Sequence, residues 1–135
     1  MAFTLVIPVR FGDCDFAGIG YYPRLLALVD ASIEDWTEAA IGISRTNLHG
    51  TYRRGLPTAD LSVRFVSPCR LGEKLSCTVR VTRLGTSSIS LNVAAAVDGA
   101  PRFEADLVQV LIDLLNGRPV PWPEEWRARL QGELD

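Results

Sequence analysis

The stretch RFGDCDFAGIGYYPRLL, Arg10 to Leu26, places two carboxylates, Asp13 and Asp15, one residue apart in a run otherwise rich in glycine, aromatic and apolar residues. A proline, Pro23, follows, and an amphipathic pattern begins there. An acid in such a turn has two possible chemistries. It can accept backbone hydrogen bonds as an Asx-turn or capping residue. Held near an apolar turn, it can also lose part of its hydration and act as a nucleophile or general base. Local chemistry leaves Asp15 open between the two. A helix starting at Pro23 would offer unsatisfied N–H donors and the positive end of its dipole. Such donors stabilise negative charge developing on a carbonyl oxygen. The glycines of AGIG, Gly18 and Gly20, would let a substrate approach the backbone closely.

Other reactive residue types form no constellation. The three cysteines, Cys14, Cys69 and Cys77, are odd in number and scattered, which speaks against a disulfide framework and for a reducing, cytoplasmic setting. Cys14 has no basic partner in sequence and reads as a small buried thiol. His49 is the single histidine and no CxxC pair exists, so no metal site is expected. A net charge of −2 announces no nucleic-acid partner. No run approaches the roughly twenty apolar residues of a membrane span, and the N-terminus lacks the basic and small-residue features of a secretion signal. The 135 residues fit a single domain, 1–135, able to bury a core without disulfides or metal.

Periodicity predicts the elements that would hold the acids. Phe3 to Val9 is β-branched and apolar, a strand whose Pro8 favours an edge or an end. From Pro23, the residues Leu25, Leu26, Val29, Ile33, Trp36 and Ala40 recur at helical spacing, and Gly42 is a natural stop. Ile43 to Pro57 has no period and reads as a long loop with at most a short helical turn. Alternation then marks strands around Leu61–Phe65, Leu75–Val81 and Ile89–Ala95. The more continuous run Phe103–Leu115 reads as a strand covered on both faces. Short turns, RLGTSS and VDGAP, suit antiparallel hairpins. GRPVPWPEEWRARL closes the chain with a proline-rich turn and a short helix. A four-strand run with one apolar face and one helix with a matching stripe imply an α+β fold, a long central helix wrapped by an antiparallel sheet.

The pattern D-C-D-x-A-G-I-x-x-Y-P before a long helix, with SPCRLGEKL, TRLGTSS and VLIDLLNGRPVPWPEEW following in order, resembles the 4-hydroxybenzoyl-CoA thioesterase family. The resemblance implies a hotdog fold, with five antiparallel strands around the helix, and hydrolysis of an acyl-CoA to a free acid and CoA. It implies that Asp15 attacks the thioester carbonyl or activates water, and that the backbone N–H at Tyr22 and nearby glycines such as Gly18 polarise the carbonyl oxygen. Asp13 falls at the family's structural acid. Asp30 matches a helix position that meets a hydroxyl on the acyl ring, against the alternative of a solvated surface acid. Arg83, Ser87 and Ser88 border the hairpin that lies near the CoA phosphates in the family. No cofactor beyond the CoA of the substrate is implied. Homodimers or homotetramers with active sites at the dimer interface are.

The chain departs from the family in three places. Phe16 replaces the usual proline, Tyr22 stands where other branches carry histidine, and RLGTSS lacks a basic cluster. The last departure would shift nucleotide contacts toward Arg53, Arg54 or Arg102. Two other readings stand beside an aromatic acyl-CoA thioesterase. One is a broad-specificity enzyme for short or medium acyl chains; the other is a hotdog protein that binds acyl-CoA without cleaving it.

Overall fold

The structure is a computed structural model that describes residues 2–134. Strand β1 (Phe3–Pro8) leads through a short 3-10 turn at Phe11–Asp13 to helix α1 (Tyr22–Ile41). Helix α2 (Arg45–Gly50) and strand β2 (Arg54–Gly55) follow. Four long strands come next: β3 (Thr58–Phe65), β4 (Lys74–Leu84), β5 (Ser88–Val97) and β6 (Ala100–Val110). Strand β7 (Ile112–Asp113) and helix α3 (Glu124–Gln131) complete the chain.

The main sheet is antiparallel throughout, in the order β1-β4-β5-β6-β3. Its register puts one inward row across all five strands: Leu5, Cys77, Ala95, Phe103 and Phe65. The alternation seen in the sequence is the burial pattern. Leu75, Cys77, Val79 and Val81 are fully buried, and Ile89, Leu91, Val93 and Ala95 nearly so. Their β-branched and aliphatic side chains form the face onto which α1 packs.

Helix α1 covers that face with Leu25, Val29, Ile33, Trp36, Ala40 and Ile41. Two buried hydroxyls on the stripe satisfy themselves within the helix: Ser32 donates to the Leu28 carbonyl at 2.9 Å, and Thr37 to that of Ile33 at 2.7 Å. The helix begins at Tyr22, one residue before Pro23, which therefore still costs no hydrogen bond. It ends at Gly42, whose φ of 74° is left-handed and whose N–H reaches the Glu38 carbonyl at 2.8 Å.

Two expectations change. The run Phe103–Leu115 is not one strand covered on both faces. Phe103, Ala105, Leu107 and Gln109 point inward, while Glu104 and Asp106 hydrogen-bond to Asn92 on the outer face. The chain then leaves β6 at Leu111 so that β7 pairs with β2. The supposed loop 43–57 holds both α2, capped by the Ser44 hydroxyl, and β2.

Gly42→Ala should lower stability by about 1–2 kcal/mol, because a Cβ in the left-handed region is strained. Gly50→Ala, in α2 with nothing within 4 Å of the new Cβ, should leave stability unchanged or slightly raised. Urea denaturation of the two variants beside the wild type checks both.

Candidate active site

The two acids of the opening stretch do different work. Asp13 is a fastening: its Oδ2 accepts the Arg10 N–H at 2.9 Å and its carbonyl accepts the Tyr21 N–H at 2.8 Å. Asp15 closes a tight turn of its own. Its Oδ1 accepts the N–H groups of Ala17 at 2.9 Å and Ile19 at 3.2 Å, while its N–H donates to the Ile19 carbonyl at 2.9 Å. The local reading of an Asx-turn is therefore met, yet only one carboxylate oxygen is spent on it. Oδ2 has no partner among the described residues. Gly18, at φ 75°, supplies the left-handed residue that the turn requires. Asp15 is exposed in this chain, so the turn alone does not strip its hydration as the sequence suggested. Desolvation there must come from whatever covers it.

The turn is stapled to the connection between β3 and β4. The Gly20 N–H reaches the Cys69 carbonyl at 2.7 Å, and the Leu71 N–H reaches that of Gly18 at 3.0 Å. That connection is itself clamped. Arg102 donates to both carboxylate oxygens of Glu73, at 2.9 and 2.7 Å, and to the Pro68 carbonyl at 2.5 Å. Glu73 also accepts the Arg70 N–H at 2.6 Å. Arg102 is therefore committed to the scaffold and is not available as a nucleotide contact.

At the start of α1, Arg24 and Leu25 both donate to the Tyr21 carbonyl, Pro23 has no N–H, and the Tyr22 N–H has no acceptor among the described residues. This unpaired donor borders an apolar cavity of about 410 Å³, lined by Ile19, Gly20, Tyr22 and Leu25 on one side and by Phe65 to Cys69 on the other. Asp15 is not in its wall. The Tyr22 ring is exposed and stacks edge-on to Tyr21 at 5.8 Å.

Asp30 is exposed, and it also borders two cavities. It lines a smaller cavity of about 120 Å³ with Leu26, Val29, Ile33, Thr58, Leu61 and Leu107, and a neighbouring one of about 390 Å³ that includes Arg45 and His49. From the sequence Arg45 has no assigned role, and His49 serves only to exclude a metal site. The Ser44 cap and the i, i+4 spacing of the pair were the available signals.

Arg83, Ser87 and Ser88 are not brought to Asp15 within one chain. Asp15 follows β1, whose end pairs with Lys74 at the start of β4. The 84–88 turn lies at the other end of that strand, about 33 Å away at the usual rise. This turn is capped by the C-terminal segment: Trp122 Nε1 donates to the Ser88 carbonyl at 3.1 Å, and Arg127 to that of Gly85 at 2.8 Å.

The surroundings of the three thiols favour their protonated form. Burial pushes Cys69 up to about 11, outweighing the opposite pull of Arg102. Partial desolvation and then the charges of Asp13 and Asp15 raise Cys14. Among the described residues no group of His, Cys, Asp and Glu is arranged to hold a metal, and no helix is long and apolar enough to cross a membrane.

A five-stranded antiparallel sheet around one long helix, with an acid-bearing turn at the helix start, is the hotdog arrangement. The chain belongs to the thioesterase-like superfamily, whose match spans residues 9–130. A 1,4-dihydroxy-2-naphthoyl-CoA hydrolase of Thermosynechococcus vestitus is 27% identical over 124 residues, covering 91% of this chain and 84% of its own. A thioesterase-superfamily structure from Jannaschia sp. CCS1 superposes with a TM-score of 0.92 at 28% identity, over 99% of this chain and 94% of that one. The structure of a 1,4-dihydroxy-2-naphthoyl-CoA thioesterase from Synechocystis does so with a TM-score of 0.86 at 21% identity, over 97% and 96%. The expected fold is met, and the similarity reaches the superfamily rather than the 4-hydroxybenzoyl-CoA branch in particular.

Arg102→Met should destabilise the protein by about 1–3 kcal/mol, since it leaves a partly buried carboxylate without its charged partner. Guanidinium denaturation should show a lower midpoint at an unchanged slope.

Proposed function

We propose that the protein hydrolyses an aromatic acyl-CoA thioester to the free acid and CoA, with Asp15 as the reacting carboxylate. The observation that carries this reading is that two groups of complementary use are left unspent on one loop-helix unit. These are Oδ2 of Asp15 and the N–H of Tyr22. The amide is suited to hold the thioester oxygen, and its partial charge stabilises the oxyanion at no cost in reorganisation. Oδ2 then either bonds to the carbonyl carbon, expelling CoA thiolate and leaving an anhydride for water to cleave, or takes the proton from an attacking water. Both routes end in the same acid and thiol.

An aromatic acyl group is supported by the dihydroxynaphthoyl substrate in the relative's name. It is supported too by the apolar walls beside Tyr22. The 4-hydroxybenzoyl group stays within this proposal as a smaller member of the same class. Asp30 is assigned to a polar group on the acyl ring, in keeping with its place in two cavity walls.

Two copies are proposed to pair with their sites at the interface, as a dimer or within a tetramer. The edge strand β3 leaves Leu61 and Phe65 about half exposed, and the exposed Asp15 needs a cover to lose its hydration. Only such an assembly would bring Arg83, Ser87 and Ser88 of another copy toward the nucleotide. Three unpaired cysteines support a reducing, cytoplasmic setting.

CoA release, followed with a thiol reagent, tests the reading across dihydroxynaphthoyl-, hydroxybenzoyl-, benzoyl-, short-chain and long-chain acyl-CoAs. Asp15→Asn keeps an oxygen for the Ala17 and Ile19 amides, so it removes the charge and leaves the turn. Its aryl-CoA turnover should fall at least about a thousandfold. No turnover of any thioester by the wild type, with tight binding retained, would sink the enzymatic reading in favour of a binding protein.

A further inference from the structure

The turn that carries Asp15 also fixes a cation that the chemistry at Asp15 and Tyr22 does not use. Gly20 and Leu71 bond across the seam to Cys69 and Gly18, so Ile19 and Arg70, which lie between them, form the non-hydrogen-bonded kind of antiparallel pair. Such partners stand about 4.5 Å apart at Cα and send their side chains to the same side. A Cβ on Gly20 would meet Leu25 and Cys69 in the interior. Arg70 therefore leaves on the opposite, outer side, next to Ile19 and at the rim of the cavity of about 410 Å³ that Ile19 helps to wall.

The Arg70 side chain has no duty in the scaffold. Its backbone N–H is bonded to Glu73, but the guanidinium is exposed and makes neither a hydrogen bond nor an ion pair among the described residues. The neighbouring Glu73 carboxylate is already taken by Arg102. Arg10, at the start of the Asp15 turn, and Arg24, in the first turn of α1, are likewise exposed and without an ion pair among the described residues. A chain of net charge −2 thus gathers three unneutralised guanidiniums on and beside the stapled unit, against the two carboxylates of Asp13 and Asp15. At full extension the path from Tyr22 to Ile19 and across the pair puts the Arg70 backbone no more than roughly 15 Å from the Tyr22 amide. That is the order of length of the pantetheine arm that separates a CoA thioester from its first phosphate.

We infer that Arg70 binds the phosphate at the end of the pantetheine arm of an acyl-CoA, with Arg10 and Arg24 adding to the attraction. This rests on the thioesterase reading above and adds a CoA contact from the same chain as the reacting carboxylate. An acyl group lodged between the apolar walls leaves the polar end of CoA to run outward over the rim where Arg70 stands. A guanidinium suits a phosphate because its planar fork donates two parallel hydrogen bonds to two oxygens. The hairpin at 84–88, about 33 Å away along β4, reaches the nucleotide only from another copy.

Thioesters of one aromatic acid on CoA, on 4′-phosphopantetheine and on pantetheine, which carries no phosphate, give the test. In Arg70→Gln the KM for the first two should rise about tenfold at a nearly unchanged kcat, while the pantetheine thioester is hydrolysed as by the wild type. Arg70→Lys should recover most of the affinity, since a point charge also serves a phosphate. The wild-type KM for acyl-CoA should climb with ionic strength while that for the pantetheine thioester stays level. This last comparison needs no variant and decides the matter if circular dichroism shows Arg70→Gln misfolded. An equal effect on all three thioesters, as a merely structural arginine would give, overturns the inference, and so does no effect on any. A loss confined to acyl-CoA that spares the phosphopantetheine thioester overturns the assignment to the first phosphate. The thioesterase reading survives each of these results. Failure of the wild type on every thioester overturns that reading and this inference with it.

Discussion

A short seam of backbone hydrogen bonds fixes how the Asp-bearing turn and the start of α1 sit against the sheet. Gly20 to Cys69, Leu71 to Gly18, Gly72 to Val9 and Val9 to Glu73 tie the Asp-bearing turn, the end of β1 and the β3–β4 connection into one piece. Because α1 starts directly after this seam, its burial against the sheet also sets the position of its first amides. The apolar stripe from Leu25 to Ile41 fits the sheet's inner face in one rotation, and that rotation turns the Tyr22 end toward Phe65 and Cys69. Packing energy spread over the whole helix thus orients a donor at one end of it.

The local economy of the site follows from this. Asp15 needs no second side chain to hold it, since Ala17 and Ile19 amides grip one oxygen and leave the other free. Asp13, two residues earlier, spends its carboxylate on Arg10 and its carbonyl on Tyr21. Two acids of identical chemistry are separated in role by which backbone donors the turn presents to each. Midway along the same helix, at Asp30, the polarity is supplied differently. There Arg45 on α2, Thr58 on β3 and Asp30, from elements far apart in the chain, border one cavity.

What could be read from the sequence was whatever repeats locally. The helical period from Leu25 to Ala40, its stop at Gly42 and the alternation in β4 and β5 correspond to the observed elements within three residues. The Asp15 motif was legible because all of its turn partners lie within four residues. The cavity walls were not. Phe65, Val66 and Cys69 meet Ile19, Tyr22 and Leu25 only through sheet topology, and no local pattern records that meeting. The end of β6 was missed for a related reason. Apolar residues continue past Val110, but pairing with Arg54 and Gly55 diverts them into β7. Arg45 was overlooked because a lone arginine in an aperiodic segment looks solvated, and its burial depends on Thr37 and the neighbouring cavity.

The order of elements along the chain also bears on how the protein emerges from the ribosome. Helix α1 is complete at Ile41, whereas the central strands that cover its stripe end with β6 at Val110, and the Trp122, Trp126 and Leu130 plug arrives later still. Until β4 is complete at Leu84, the most apolar helix of the chain lacks the strand that takes much of its stripe, and the sheet is whole only after β6. A nascent chain in this state presents the kind of exposed apolar surface that chaperones bind. Folding is therefore expected to wait for near-complete synthesis rather than to proceed element by element. Substitutions that slow pairing of β4, β5 and β6 should consequently reduce the yield of soluble protein more than they reduce its final stability.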